Sequence, residues 1–275
     1  MAVSLSPSCE LRLGTQGWNY PDWVGSFYPL GTRAQEFLAL YASVFDTVEI
    51  DSTFYGAPRP TTVQAWAEST PPGFQFAAKL PQRITHELAL RDAQAELAAF
   101  LSVMDRLGDR LGPLLIQLPP QLHRDEQTWQ DLRAFLAELP SGYQWAVEFR
   151  HRSWLADEVL ELLHERGVAF TAIDLVSMPR RVEATAPFAY VRWLGDRRRI
   201  ERYDRIQLDR DQETAEWAAA LHNLAHQVGR IYGYYNNHYA GHSPASVNQL
   251  RQRLDLAPLP LPQPRRSRPE QEPLL

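Results

Sequence analysis

Thr47-Val48-Glu49-Ile50-Asp51 threads two β-branched apolar side chains between a threonine and two carboxylates. Successive side chains of an extended chain point to opposite faces, so Val48 and Ile50 share one face while Thr47, Glu49 and Asp51 share the other. The apolar pair requires a cover of helices, which turns the acids toward the inside of a sheet. Val147-Glu148-Phe149-Arg150 repeats the pattern, with Glu148 and Arg150 inward. Charged side chains on an inner face, at the ends of strands, suit a parallel barrel, whose enzymes keep their catalytic groups at the C-terminal mouth.

Outward from these two stretches, short apolar or β-branched runs recur about every 25 to 35 residues, and most gaps between them carry helical spacing. The expected strands centre on Leu11 to Gln16, Thr47 to Asp51, Phe74 to Lys79, Leu114 to Leu118, Trp145 to Phe149, Val168 to Asp174, Phe188 to Trp193 and Ile231 to Asn236. The predicted fold class is α/β, a single (β/α)8 TIM barrel, and 275 residues is a length that such a barrel, of roughly 250 residues, would fill. Trp217, Leu221, Leu224, Ala225 and Val228 line one helix face, as do Leu155, Val159, Leu162 and Leu163. Ser153 marks the start of the fifth helix, and Ser243 with Pro244 at its first turn marks the last, which carries Val247, Leu250 and Leu254. Residues 1–10 read as an N-terminal extension and 11–256 as the barrel domain. Residues 257–275, with six prolines plus Arg265, Arg266 and Arg268, read as a disordered tail.

Composition narrows the function classes. No apolar run approaches the roughly 20 residues that span a bilayer, and Met1 to Glu10 lacks the basic and apolar regions of a signal peptide, so a cytoplasmic location is expected. One cysteine, Cys9, excludes an intramolecular disulfide and a multi-cysteine metal site. The net charge of −5 argues against bulk attraction to nucleic acid. No Walker or dinucleotide fingerprint is present, and no cofactor is expected.

The strand ends collect polar groups: Lys79 on the third, Gln117 on the fourth, Asp174 on the sixth, Arg192 on the seventh, Asn236 and Asn237 on the eighth. Glu49, Glu148, Lys79 and His86 are the candidate catalytic residues, two carboxylates able to divide acid and base duties if their surroundings push their pKa values apart. Trp18, Tyr20, Tyr55, Gln117, Arg150, His151, Asp174, Arg192, Asn236 and Asn237 are the candidate binding residues for a polar, ring-containing or phosphorylated small molecule. The competing reading makes Glu148 with Arg150, and Glu49 with Lys79, ion pairs that only hold a core together. Arg192 followed by Arg197, Arg198, Arg199, Arg202 and Tyr203 would suit a phosphate, although such a run is more often a solvated loop.

Gly14-Thr-Gln-Gly-Trp18-Asn-Tyr20-Pro-Asp-Trp23, Phe27-Tyr28-Pro29, Thr47-Val-Glu-Ile-Asp-Ser-Thr-Phe-Tyr55, Phe76-Ala-Ala-Lys79, Ile84-Thr-His86, Gly112-Pro-Leu-Leu-Ile-Gln-Leu-Pro-Pro120, Val147-Glu-Phe-Arg-His151 and Tyr234-Tyr-Asn-Asn-His238 resemble, in this order, the motifs of the YecE-like family, domain of unknown function 72. The resemblance runs from about Leu11 to Leu254 and implies the barrel fold and a site, with no settled reaction. Asp51 and His238 depart from the residues that many members carry there, which makes them weaker candidates than Glu49 or Glu148.

Three functions follow. The first is a hydrolase-like enzyme using Glu49 and Glu148 with Lys79, His86 and Arg192. The second is a metal-dependent phosphodiesterase or nuclease drawing on His86, His151, His238 and His242, although no recognised ligand spacing supports a metal. The third is a ligand-binding barrel without catalysis.

Overall fold

A computed structural model of the chain describes residues 3–6, 8–196 and 198–262. Arg197 and residues 263–275, with Arg265, Arg266 and Arg268, lie outside the described residues. Among the described residues there are nine strands, β1 (Val3–Ser6), β2 (Cys9–Thr15), β3 (Thr47–Ile50), β4 (Gln75–Lys79), β5 (Leu111–Gln117), β6 (Trp145–Glu148), β7 (Ala169–Asp174), β8 (Phe188–Trp193) and β9 (Arg230–Tyr235). They form one curled, mostly parallel sheet in the order β1-β2-β9-β8-β7-β6-β5-β4-β3. Each of the eight expected strands is present as one of β2 to β9, and neighbours in space are neighbours in sequence except where β2 pairs β9.

Three features went unseen in the sequence. Part of the presumed N-terminal extension is strand β1, antiparallel to β2. The helices are α1 (Phe37–Tyr41), α2 (Pro60–Glu68), α3 (Gln94–Met104), α4 (Glu126–Ala137), α5 (Asp157–Arg166), α6 (Asp211–Leu224) and α7 (Ser243–Arg253), and none lies between β7 and β8. There residues 175–187 run without helix or strand, held by Arg180, which pairs with Glu216 at 2.8 Å, and Arg181, which pairs with Asp157 at 2.7 Å. The third feature is the caps. Ser153 receives the Arg124 backbone N–H instead of starting α5, and α7 is capped by the His242 ring, which accepts from the Ala245 N–H one residue before the expected Ser243. The expected tail begins with an anchored stretch, because Asn248 both donates to and accepts from the Leu259 backbone and Arg251 donates to the Ala257 carbonyl.

Side-chain alternation divides the core in two. Outward residues such as Val48, Ile50, Val147 and Phe149 join the helix stripes, Trp217, Leu221, Val159 and Leu163 among them. Inward residues Ala77, Leu115, Ala146, Ala169, Phe188, Tyr190, Tyr232 and Tyr234 fill the inside of the curl. No helix among the described residues is long and apolar enough to cross a membrane.

β2 and β3 approach at the ends of the sheet without a full ladder between them. One bridge pairs Gln16 with Glu49, and the Gly17 N–H donates to the Glu49 carbonyl at 2.8 Å. Below it a side chain replaces the ladder: Tyr41 of α1 accepts from the Thr15 N–H and donates to the Thr47 carbonyl, both at 3.0 Å. The backbones come so close that a Cβ on Gly14 would stand 2.3 Å from the Thr47 carbonyl oxygen, which only glycine permits. Tyr41→Phe leaves a buried N–H and carbonyl without this partner and should cost on the order of 2 kcal/mol, since each buried unpaired group costs about 1 to 3. Urea unfolding measures it; a loss below about 0.5 kcal/mol would show that the seam does not rest on the hydroxyl.

Candidate functional site

The interior is built in layers from the N-terminal ends of the strands upward. Tyr232 donates to Gln75 at 2.5 Å, and one layer higher Tyr234 shares a 2.8 Å hydrogen bond with Thr47. Above them β8 sends Tyr190 and then Arg192 inward, two residues apart on the same face. Tyr190 donates to Glu49 Oε2 at 2.7 Å. Arg192 donates to Glu49 Oε1 through Nη2 at 2.6 Å and to Glu148 Oε2 through Nη1 at 2.6 Å, and approaches Asp51 at 3.4 Å. Glu49 and Glu148 are 0% exposed and Arg192 is 2% exposed, so this is a buried acid–arginine–acid bridge across the sheet. Arg150 closes on the other oxygen of Glu148.

The two carboxylates titrate apart. Burial raises Glu49 to about 7, with Asp51 adding to the rise and Arg192 opposing it. Burial also disfavours the Glu148 charge, yet Arg150 and Arg192 outweigh it and hold the group at about 2. The pKa separation expected for an acid–base pair is therefore present, but neither carboxylate borders the open space above it.

That space is a cavity of about 450 Å³ at the C-terminal ends of the strands. Of the candidate residues, Lys79, His86, Gln117, Arg150 and Asn236 line it, together with Phe54, Asp196 and Arg198. Lys79 ends β4 with its ammonium 3.8 Å from the centre of the Phe54 ring. It makes no ion pair among the described residues, so in place of the Glu49–Lys79 pair of the competing structural reading Glu49 pairs with Arg192. Burial, and then the Arg192 cation, lowers Lys79 from 10.5 to about 8 against the pull of Asp51, Glu148 and Glu49. His86 meets the edge of Phe54 at 4.9 Å and shares a 2.8 Å hydrogen bond with Thr85 through Nδ1. Burial, then Lys79 and Arg150, push its pKa down and favour the neutral ring.

The other candidates are dispersed. Trp18 and Tyr20 border a separate groove of about 400 Å³ with Asp51 and Trp66. Tyr55 is 80% exposed and lines neither space. His151 engages Ser153, Asp174 accepts from Trp217 Nε1 at 2.6 Å, and Asn237 accepts from Trp23 and from Ser243, which makes these three side chains parts of the scaffold. Asn236 donates to Gln16 at 2.8 Å while still bordering the cavity. Of the arginine run, Arg198 reaches the cavity. His238 meets Tyr203, and among the described residues no three His, Cys, Asp or Glu side chains gather in a group that could hold a metal ion. Tyr190 went unassigned from sequence. The signal for Tyr190 was its place two residues before Arg192. A stronger signal concerns Lys79, the only lysine in the chain: every other one of the 28 lysines and arginines is arginine.

A mostly parallel curled sheet with a polar cavity at its strand ends defines an α/β protein of the barrel-like kind. The family model described as "Protein of unknown function DUF72" matches residues 12–272, and the chain belongs to that family. It is 34% identical over 184 residues to the UPF0759 protein YecE of Escherichia coli K12, a match covering 64% of this chain and 62% of that relative, just under two thirds of its length. It is 26% identical over 277 residues to the UPF0759 protein YunF of Bacillus subtilis 168, covering 90% of this chain and 95% of that one. A DUF72 family protein from Thermotoga maritima MSB8 superposes with a TM-score of 0.75 at 28% identity, covering 89% of this chain and 99% of that one. A second, from Enterococcus faecalis V583, has a TM-score of 0.69 at 20% identity over 90% and 98% of the two chains and shares the fold.

Glu148→Gln takes the shared anion from two arginines and should destabilise the protein by roughly 3 to 5 kcal/mol, the cost of breaking a buried pair. A melting curve unchanged from wild type would assign Glu148 a role other than support. Lys79→Met should act in the opposite sense. Because folding depresses the lysine pKa, the folded state resists a proton that the unfolded state holds. The penalty is full below about pH 8 and disappears as pH rises to 10.5. At pH 7 the variant should be more stable by on the order of 3 kcal/mol. Denaturation at pH 7 and pH 10.5 checks this, and a difference that does not shrink with pH contradicts it.

Proposed function

We propose that this chain is an acid–base enzyme acting on a small anionic molecule, built on one closed (β/α)8 barrel that spans residues 11–256. Barrel closure is supported by the eight parallel strands in chain order and by the Gln16–Glu49 bridge with its 2.8 Å hydrogen bond at the seam. The observation that carries the functional reading is the charge of the cavity lining. Lys79, Arg150 and Arg198 face one carboxylate, Asp196, and that carboxylate already accepts the Arg198 N–H. Gln117 and Asn236 add amides suited to the oxygens of a phosphate or carboxylate.

In this reading the acid and base duties fall to Lys79 and His86, which reach the cavity and whose pKa values are both lowered toward neutrality or below. Glu49 and Glu148 instead fix Arg192 beneath the cavity and Arg150 in its wall. A hydrolysis resting on the two carboxylates is less well supported, because both are covered by the arginines. Among the described residues no ligand cluster supports a metal-dependent phosphodiesterase. The buried single cysteine fits a cytoplasmic enzyme.

Inorganic phosphate is the simplest probe. Titrated in a thermal-shift assay, it should raise the melting temperature, and Arg198→Ala, which removes an exposed cation from the rim, should weaken the apparent affinity about tenfold. If neither phosphate nor a simple carboxylate such as acetate or pyruvate shifts the melting curve, the anion-site reading falls.

A further inference from the structure

We propose that Lys79 is a covalent nucleophile that forms a Schiff base with a small carbonyl compound carrying a phosphate or carboxylate group. The inference rests on the anion-site reading and adds the class of substrate to it. The first argument is placement. Lys79 stands at the C-terminal end of β4, 7% exposed, with its amine against the face of Phe54 and open to the cavity. Phe54 presents its ring to the amine and to His86 at once, which shields one side of the nitrogen and sets a base in the same cavity wall.

The second argument is residue choice. Arginine fills every other cationic position of the chain, including the buried bridge at Arg192 and the cavity wall at Arg150 and Arg198. Arginine serves ion pairing and phosphate recognition better than lysine does, but its guanidinium does not give up a proton in proteins. An amine is needed where a nitrogen must lose its proton and attack. A lysine desolvated in a pocket or set beside another cation is the recognised form of such a nucleophile, and Lys79 has both conditions, with Arg192 as the neighbouring cation.

The step balances without an external oxidant or reductant. The ammonium of Lys79 lends one proton to His86, whose Nδ1 is held by Thr85. The neutral amine forms a C–N bond to the carbonyl carbon, and the C=O π pair moves to oxygen, which takes a second proton from the nitrogen. His86 returns the first proton as that oxygen leaves as water, and the nitrogen lone pair closes the C=N bond of a cationic iminium. Arg150 and Arg198 hold the anionic group of the substrate, and Gln117 and Asn236 lie within the same wall to receive its oxygens.

The test exploits the single lysine. Wild-type protein is incubated with pyruvate, with dihydroxyacetone phosphate, or with neutral acetone, then reduced with sodium borohydride, and the adduct is located by peptide mass mapping. Reduction should fix one probe, less one oxygen atom, on Lys79, at a rate at least about tenfold greater for an anionic probe than for acetone. Whichever of pyruvate and dihydroxyacetone phosphate labels faster identifies carboxylate or phosphate as the handle. Lys79→Arg should lose the adduct and keep the phosphate-induced thermal shift. An unlabelled Lys79 in a protein that phosphate still stabilises overturns the Schiff base and leaves the anion site standing. No labelling and no phosphate shift overturns both. Equal labelling by acetone and by the anionic probes overturns the substrate class.

Discussion

Arg192, held at 2.6 Å from each of two fully buried carboxylates, is the interaction on which the rest of the site depends. Charges taken out of water are costly unless every lone pair and proton is matched, and here the matching reaches across the sheet. Glu49 comes from β3, Glu148 from β6 and the guanidinium from β8, so one side chain ties three strands that are far apart in sequence. Tyr190 completes Glu49 and Arg150 completes Glu148. The bridge sets the field felt above it. Burial, and then its cation, lower the Lys79 pKa, while its two anions are shielded from the cavity, so the open wall is positive over a buried layer that is nearly balanced.

Much of the scaffold was legible because strands and helices carry their periods in short windows. The alternation in Thr47-Val-Glu-Ile-Asp51 and Val147-Glu-Phe-Arg150 placed Glu49 and Glu148 inward, and the Trp217 to Val228 stripe marked a buried helix face. What was missed depends on partners distant in sequence. The identity of each carboxylate's partner is one case: Lys79 and Arg192 are both strand-end cations, and only the register of β8 against β9 and β7 brings Arg192 over Glu49. The segment between β7 and β8 is another, since Arg180 and Arg181 hold it through Glu216 and Asp157 on two different helices. Caps failed for a local reason: serine was assumed where His242 does the capping.

Of the candidate residues, Lys79, His86, Gln117, Arg150 and Asn236 share one cavity, whereas Asp174 and Asn237 satisfy a tryptophan N–H and a helix start. Side chains of the same chemistry serve as scaffold or as site depending on whether buried donors claim them first, and this is decided by packing. The aromatic first loop divides in the same manner, with Trp23 and Tyr28 fully packed and Trp18 and Tyr20 beside a groove of their own.

The seam carries a consequence for how the chain reaches this arrangement. The pairing of β2 with β9 joins positions such as Leu11 and Ile231, whereas Tyr41 reaches Thr15 and Thr47 across short stretches of sequence. Closing a long loop carries a larger entropic cost before any contact offsets it. The tyrosine-stitched junction between β2 and β3 can therefore assemble before the later strands are made, while β2 keeps its other edge bare until β9 arrives. During synthesis that bare edge is the surface most open to pairing with a foreign strand, because β1, folded back antiparallel on β2, covers the opposite edge and leaves this one unprotected.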